Sequence, residues 1–91
     1  MAWQMRYANT FYKELAKLPE KPRLKIESFV FGDAIKENPL ATGKLEKLSG
    51  YDDYYKVRFG VYRVGLRIDV AGQVIEFRRV RHRRDIYRKF P

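Results

Sequence analysis

Lys56, Arg58 and Arg63 stand close together in the chain, and the stretch Arg78 to Lys89 adds seven cations and one carboxylate, with His82 and Tyr87 among them. Cations gathered in this way bind polyanions, and a lysine, histidine or tyrosine among them can also move protons. Such a set can cleave RNA. The ribose 2′-OH is an internal nucleophile. A protein need only take its proton, hold it in line with the phosphorus, stabilise the extra charge on the phosphorane and protonate the leaving 5′-oxygen. Arginine suits the third task because its guanidinium stays charged and can grip two oxygens at once. Lys56 is the cation of its group able to exchange a proton, as base or acid. DNA lacks the 2′-OH, so the route is confined to RNA.

Other chemistries fail on inventory. The chain has no cysteine, which removes disulfides and cysteine-ligated zinc or iron–sulfur sites and fits a reducing cytoplasm. It has no glycine-rich phosphate loop and no GxSxG elbow, and Asp52-Asp53 read as turn residues. His82 is the single histidine, a poor metal ligand on its own and more simply an exposed side chain. Tyr87 has an ordinary reading too, as a packing residue of a terminal helix. Neither a metal nor a small-molecule cofactor is expected.

Ninety-one residues make one domain, 1–91, and 45% hydrophobic with 15% aromatic residues is enough to fold it. The N-terminus lacks a basic segment followed by a hydrophobic one, and no apolar run is long enough to cross a bilayer, so neither a signal peptide nor a membrane partner is expected. Twenty Lys+Arg against eleven Asp+Glu leave a formal charge of +9. Residues 1–50 carry nine basic and six acidic side chains, residues 51–91 eleven and five. The second half therefore holds the footprint of a polyanionic partner: nucleic acid, an acidic protein or both.

The elements that position these residues can be read from periodicity. Trp3, Met5 and Tyr7 alternate as a short strand. Asn9 or Thr10 then caps a helix with the stripe Phe11, Leu15, Leu18, stopped by Pro19. Pro22 opens a second helix with inner face Ile26, Phe29, Val30 and Ala34, ended by Asn38-Pro39. Leu40 to Asp53 is a loop with room for a short strand or turn through Leu45 and Leu48. From Tyr54 the period changes to two, giving a hairpin that runs to Val70, a turn at Ala71-Gly72, a strand from Val74 to Val80 and a short helix over Arg84 to Phe90. The order β-α-α-β-β-β-α is an α+β domain. Its small sheet is antiparallel, mixed through the N-terminal strand, with two N-terminal helices on one face and a short C-terminal helix.

A two-residue turn at Gly60-Val61 pairs Phe59 with Tyr62, Arg58 with Arg63, Val57 with Val64 and Lys56 with Gly65. Tyr55, Val57, Phe59, Tyr62, Val64, Leu66 and Ile68 then share a core face. Tyr54, Lys56, Arg58, Arg63 and Arg67 share the other. Like charges facing each other cost roughly 0.2–1 kcal/mol, so packing does not explain the second set. A charged outer face also keeps a sheet wet, but such a face mixes signs, and the acids nearby are Asp69 and Glu76, with Glu76 facing Arg67. Gly65 opposite Lys56 is expected to leave space for a phosphate beside the ammonium.

The segment Lys47 to Val64, which reads L-x-G-x-x-x-Y-Y-K-V-R…Y-R-V, and the segment Arg79 to Tyr87, with H-R-x-D-I-Y, resemble the RelE/ParE superfamily of type II toxins, and RelE most of all. The resemblance spans nearly the whole chain. It implies a ribosome-dependent endoribonuclease that cuts mRNA in the ribosomal A site without metal, leaving a 2′,3′-cyclic phosphate and so inhibiting translation. It implies Lys56, Arg58, Arg63, Arg83 and Tyr87 as the catalytic set, with Arg67, Arg79, Arg81, His82 and Arg84 as RNA contacts. It also implies a cognate antitoxin whose flexible segment covers the toxin, with ribosome and mRNA as the other partners.

Two departures leave alternatives open. The residue after Val80 is usually small in the family and is Arg81 here, so Arg81 and Arg83 compete for the catalytic arginine's place. His82 stands where some relatives use a histidine, so it competes with Tyr87 for the acid. Two other functions fit the same surface: a ParE-like toxin that inhibits DNA gyrase by binding, and an RNA-binding domain without chemistry.

Overall fold

In the computed structural model, which describes residues 3–91, the period-two stretch forms the expected hairpin. Strands β3 (Tyr54–Phe59) and β4 (Tyr62–Asp69) pair in the register Phe59↔Tyr62, Arg58↔Arg63, Val57↔Val64, Lys56↔Gly65. Gly60 takes φ +59 at the turn, a conformation that costs glycine little. Val57, Val64, Leu66 and Ile68 are buried on one face, as their alternation requires.

Strand β1 (Gln4–Tyr7), strand β2 (Glu46–Lys47) and strand β5 (Val74–His82) complete a five-stranded sheet of order β1-β5-β4-β3-β2. β1 runs parallel to β5 and the other pairs are antiparallel, so the mixed α+β reading holds. Between Gly65 and Leu66 the β4–β5 register shifts: Gly65 pairs with Arg79 and Leu66 with Phe77, leaving Arg78 as the extra residue of a bulge.

Helices α1 (Asn9–Ala16) and α2 (Glu20–Val30) lie on the apolar face, where Phe11, Leu15, Ile26 and Val30 join the strand residues in one core. Three local expectations need correction. Ala8, not Asn9 or Thr10, occupies the cap position of α1 and no side chain caps it. The second helix breaks at Phe31-Gly32, where a Cβ on residue 32 would collide with the Ser28 carbonyl, and α3 (Asp33–Glu37) starts anew. Ala34 is exposed as a result, and Ile35 takes the core position instead. The turn after β4 spans Val70 to Gln73, with Gln73 rather than Gly72 in the left-handed region at φ +52. Helix α4 (Arg83–Lys89) covers the opposite face of the sheet through Ile86, followed by Phe90.

Tyr7 ties β1 to the helices: its hydroxyl donates to the Val30 carbonyl at 2.6 Å, and its ring stacks on Phe77 at 5.3 Å. Burial first, then charge repulsion from Tyr12, raises its pKa above the ordinary 10.0. The fold therefore favours the neutral phenol, and this contribution is complete below pH 10 and lost as pH rises through the raised folded value. Tyr7→Phe should cost about 1 kcal/mol at pH 7 and flatten the alkaline limb of stability measured by denaturant titration at a series of pH values.

Candidate active site on the outer sheet face

Alternation from Tyr54 onward sends Tyr54, Lys56 and Arg58 to the outer face, and the register brings Arg63 opposite Arg58. The side chains are held individually. Arg63 donates from one guanidinium nitrogen to the Gly60 and Tyr62 carbonyls at 2.7 and 2.9 Å, curling over the turn. Arg58 pairs through Nε with Glu46 at 3.0 Å, across the β2–β3 seam where Glu46 is in register with Lys56. One carboxylate thus stands inside the cationic group. The sequence pattern did not show it, because a two-residue strand is too short to display alternation.

Tyr87 arrives from α4. It is 71% exposed, and the Lys56 ammonium lies 5.5 Å from its ring centre. Arg83 precedes it by four residues, which puts both side chains on one face of the helix. The helix is anchored at its start by the Arg83 N–H, which donates to the Val61 carbonyl at 2.7 Å. It is anchored at its end by Phe90, whose ring lies over Gly65 so closely that a Cβ there would meet it at 2.8 Å. This overturns one expectation. The gap that Gly65 leaves beside Lys56 receives the Phe90 ring, not a phosphate, and what remains is a cavity of about 40 Å³ lined by Leu48, Lys56, Ile86, Tyr87 and Phe90. Gly65 serves to seat α4.

The remaining sequence candidates point elsewhere, although Arg81 is in register with Arg63 and Arg79 with Gly65 on the same face. Arg67 lies four residues from Arg63 along β4 and pairs with Asp53 at 3.4 Å; Glu76, its partner in register, approaches Arg78 at 3.7 Å instead. His82 pairs with Tyr62, so it faces the helix layer, on the opposite side of the sheet from Lys56. Its Nδ1 accepts from the Arg84 N–H at 3.1 Å and caps α4. Arg84 is exposed beside it. Arg79 and Arg81 both turn over the edge of β5 to Glu14 of α1, a carboxylate with only 14% of its side chain exposed. Glu14 accepts from Arg79 Nε and Nη2 at 3.0 and 2.7 Å and from the Val80 N–H at 3.1 Å, and Arg81 approaches it at 3.2 Å. No sequence signal links Glu14 to a strand more than sixty residues away.

Lys56, Arg58 and Arg63 thus share the outer face, with Tyr87 standing over Lys56 and Arg83 one helical turn before Tyr87. Arg81 is drawn away to Glu14, and of the two competing arginines Arg83 is the one on the helix face of Tyr87.

A family model described as the ParE toxin of type II toxin–antitoxin systems, parDE, matches residues 4–87. The toxin RelE3 of Methanocaldococcus jannaschii is 41% identical over 87 residues, a match covering 93% of this chain and 96% of that protein. The toxin RelG of Mycobacterium tuberculosis is 36% identical over 91 residues, covering 98% of this chain and all of that protein. Among solved structures, the RelB–RelE antitoxin–toxin complex from Methanococcus jannaschii superposes with a TM-score of 0.77 at 36% identity, over 94% of this chain and 99% of the matched one.

The seat of α4 can be tested directly. Gly65→Ala should lift or tilt the helix, with a cost of about 1–3 kcal/mol for the overpacked contact. Hydrogen exchange should quicken at the α4 amides while the β3–β4 amides stay protected. Unchanged exchange in α4 would mean that Phe90 does not fix the helix.

Proposed function

The chain belongs to the ParE toxin family of type II toxin–antitoxin systems and is a toxin close to RelE, and from this premise we propose that it is an endoribonuclease that cuts mRNA in the ribosomal A site. The observation that carries the reading is the meeting of Tyr87 with Lys56, 5.5 Å from ring centre to ammonium, on the face that also bears Arg58 and Arg63. A phenol and an amine standing together beside arginines supply the two proton-exchanging groups that such a cleavage requires.

In the proposed reaction Lys56, acting as its neutral amine, takes the proton of the ribose 2′-OH and becomes the ammonium, as the 2′-oxygen attacks the adjacent phosphorus. Arg58, Arg63 and Arg83 hold the non-bridging oxygens as charge accumulates on them. The bond to the 5′-oxygen breaks as Tyr87 supplies that oxygen with a proton, and the products are a 2′,3′-cyclic phosphate and a free 5′-hydroxyl. Tyr87 suits the donor role better than His82, which lies on the other face with Nδ1 engaged in the helix cap. Glu46 holds Arg58 by an ion pair and lowers the net charge of the site by one. Arg79, Arg81, Arg84 and Arg67 extend the basic surface, with Arg79 and Arg81 partly neutralised by Glu14. The related toxin solved with its antitoxin suggests the remaining partner: a cognate antitoxin, whose acidic or amphipathic segment would cover this face. The matching family model carries the ParE description, so gyrase inhibition without cleavage stands as the second reading.

In vitro translation of a defined mRNA followed by primer extension should show cuts in frame with the A site, present with ribosomes and absent on naked mRNA. Arg63→Ala should abolish these cuts while keeping the melting temperature, since its side chain points away from the core. Tyr87→Phe should slow cleavage by about 10²–10⁴-fold, the usual worth of a positioned acid. Full activity in Arg63→Ala would refute the site, and intact mRNA together with inhibited supercoiling by gyrase would establish the second reading.

A further inference from the structure

An aromatic group stands beside the proposed cleavage site and takes no part in its chemistry. The Leu48 N–H donates to the Tyr54 carbonyl at 2.8 Å and the Tyr51 N–H to the Leu48 carbonyl at 3.3 Å, with Gly50 at φ +83 between them. This closes a tight loop that presents Tyr51 with 49% of its surface exposed. Its ring stands edge-to-face with Tyr54 at 5.9 Å and 85°. Tyr54 in turn meets Phe90 at 5.5 Å, the same Phe90 that lines the cavity with Lys56 and Tyr87. The Arg78 guanidinium lies 5.9 Å from the Tyr54 ring centre, with Nη1 3.4 Å from its hydroxyl. A run of rings therefore leads from the cleft to an open tyrosine held in a short, hydrogen-bonded loop.

The local charge decides what such a platform would take. Arg78 approaches Glu76 at 3.7 Å, Arg67 pairs with Asp53 at 3.4 Å, and Asp52 is exposed next to Tyr51. Two cations against three carboxylates leave this ground slightly negative, whereas Lys56, Arg63 and Arg83 are cations. A phosphate gains nothing by moving onto it. A nucleobase is uncharged, buries ring area against tyrosine and leaves its own phosphate on the cationic side. Tyr54 precedes Lys56 by two residues on one strand face, about 7 Å, and the Tyr51 ring stands 5.9 Å from the Tyr54 ring, a span that an unstacked single strand covers in a few nucleotides at most.

We propose that Tyr51, backed by Tyr54 and Arg78, is a stacking subsite for the base of a nucleotide near the scissile phosphate. The position of that phosphate rests on the ribonuclease reading; the stacking itself does not. Stacking of this kind tolerates sequence, because every base has a π-face, and favours purines through their larger rings.

The test uses the folded chain and an octaribonucleotide whose 2′-O-methyl riboses cannot be cut, carrying 2-aminopurine at each position in turn. At low salt the wild type should quench the fluorophore at one position, and Tyr51→Ala should lose that quenching and bind about 5- to 150-fold more weakly, the range for losing one stacked base. Tyr51→Trp should restore both. An oligonucleotide abasic at that position should bind wild type and Tyr51→Ala alike. Equal affinity and quenching in wild type and Tyr51→Ala, or no binding by the wild type at low salt, would overturn the subsite. Tyr51-dependent binding by a protein that leaves ribosome-bound mRNA intact would uphold the subsite and refute the nuclease reading.

Discussion

The register of the β3–β4 hairpin is the constraint on which the rest of this structure depends. A slip of one residue would turn Lys56, Arg58 and Arg63 into the core and push Val57, Val64, Leu66 and Ile68 into water. Burying an aliphatic side chain contributes about 1.5–3 kcal/mol, so four of them outweigh by several-fold the roughly 0.2–1 kcal/mol by which Arg58 and Arg63 repel across the strands. The apolar face sets the register, and the cationic face is carried along with it. Like charges can therefore be gathered without endangering the fold, which is what a phosphate-binding surface requires.

What the register leaves open is the direction of long, flexible cations, and here carboxylates and carbonyls set the arrangement. Glu46 holds Arg58, the turn carbonyls hold Arg63, Asp53 holds Arg67, and Glu14 holds Arg79 and Arg81 together with the Val80 N–H at the edge of β5. An exposed ion pair contributes little to stability, with a median of about 0–1 kcal/mol. The significance of these pairs is geometric: a guanidinium already fixed in place has less to lose when it meets an anion. Glu14, the least exposed of these acids, differs from the others by joining α1 to the strand that leads into α4.

The hairpin was legible in the sequence because everything that defines it is local. Its turn, its alternation and its apolar residues lie within sixteen residues, and the pairings and both faces follow from them. Distance along the chain limited the rest. The Lys56↔Gly65 pairing could be read, but its consequence could not, since the occupant of the gap is Phe90, twenty-five residues further on. Glu14 is more than sixty residues from its arginines, and the β2 strand that brings Glu46 to Arg58 is two residues long. At Gly32 the backbone passes so close to the Ser28 carbonyl, one turn earlier, that a Cβ would not fit, and no periodicity records that approach. His82 shows the limit of reasoning from residue type: its place on the helix-side face follows from strand pairing after a bulge that the sequence did not signal.

The two halves of the candidate site are held together by forces of different kinds. Lys56, Arg58 and Arg63 act on a polyanion by charge, which salt screens over a length of about 8–10 Å at physiological strength. Tyr87 is held over Lys56 by the burial of Ile86 and Phe90 against the sheet, an apolar contact that salt does not weaken. If the face binds RNA as proposed, rising ionic strength should release it while leaving the assembled site intact, whereas loss of the Phe90 contact should remove Tyr87 from a cationic face that keeps its charge. On the proposed reading, a site divided in this way loses its substrate without losing its shape, and loses its acid without losing its substrate.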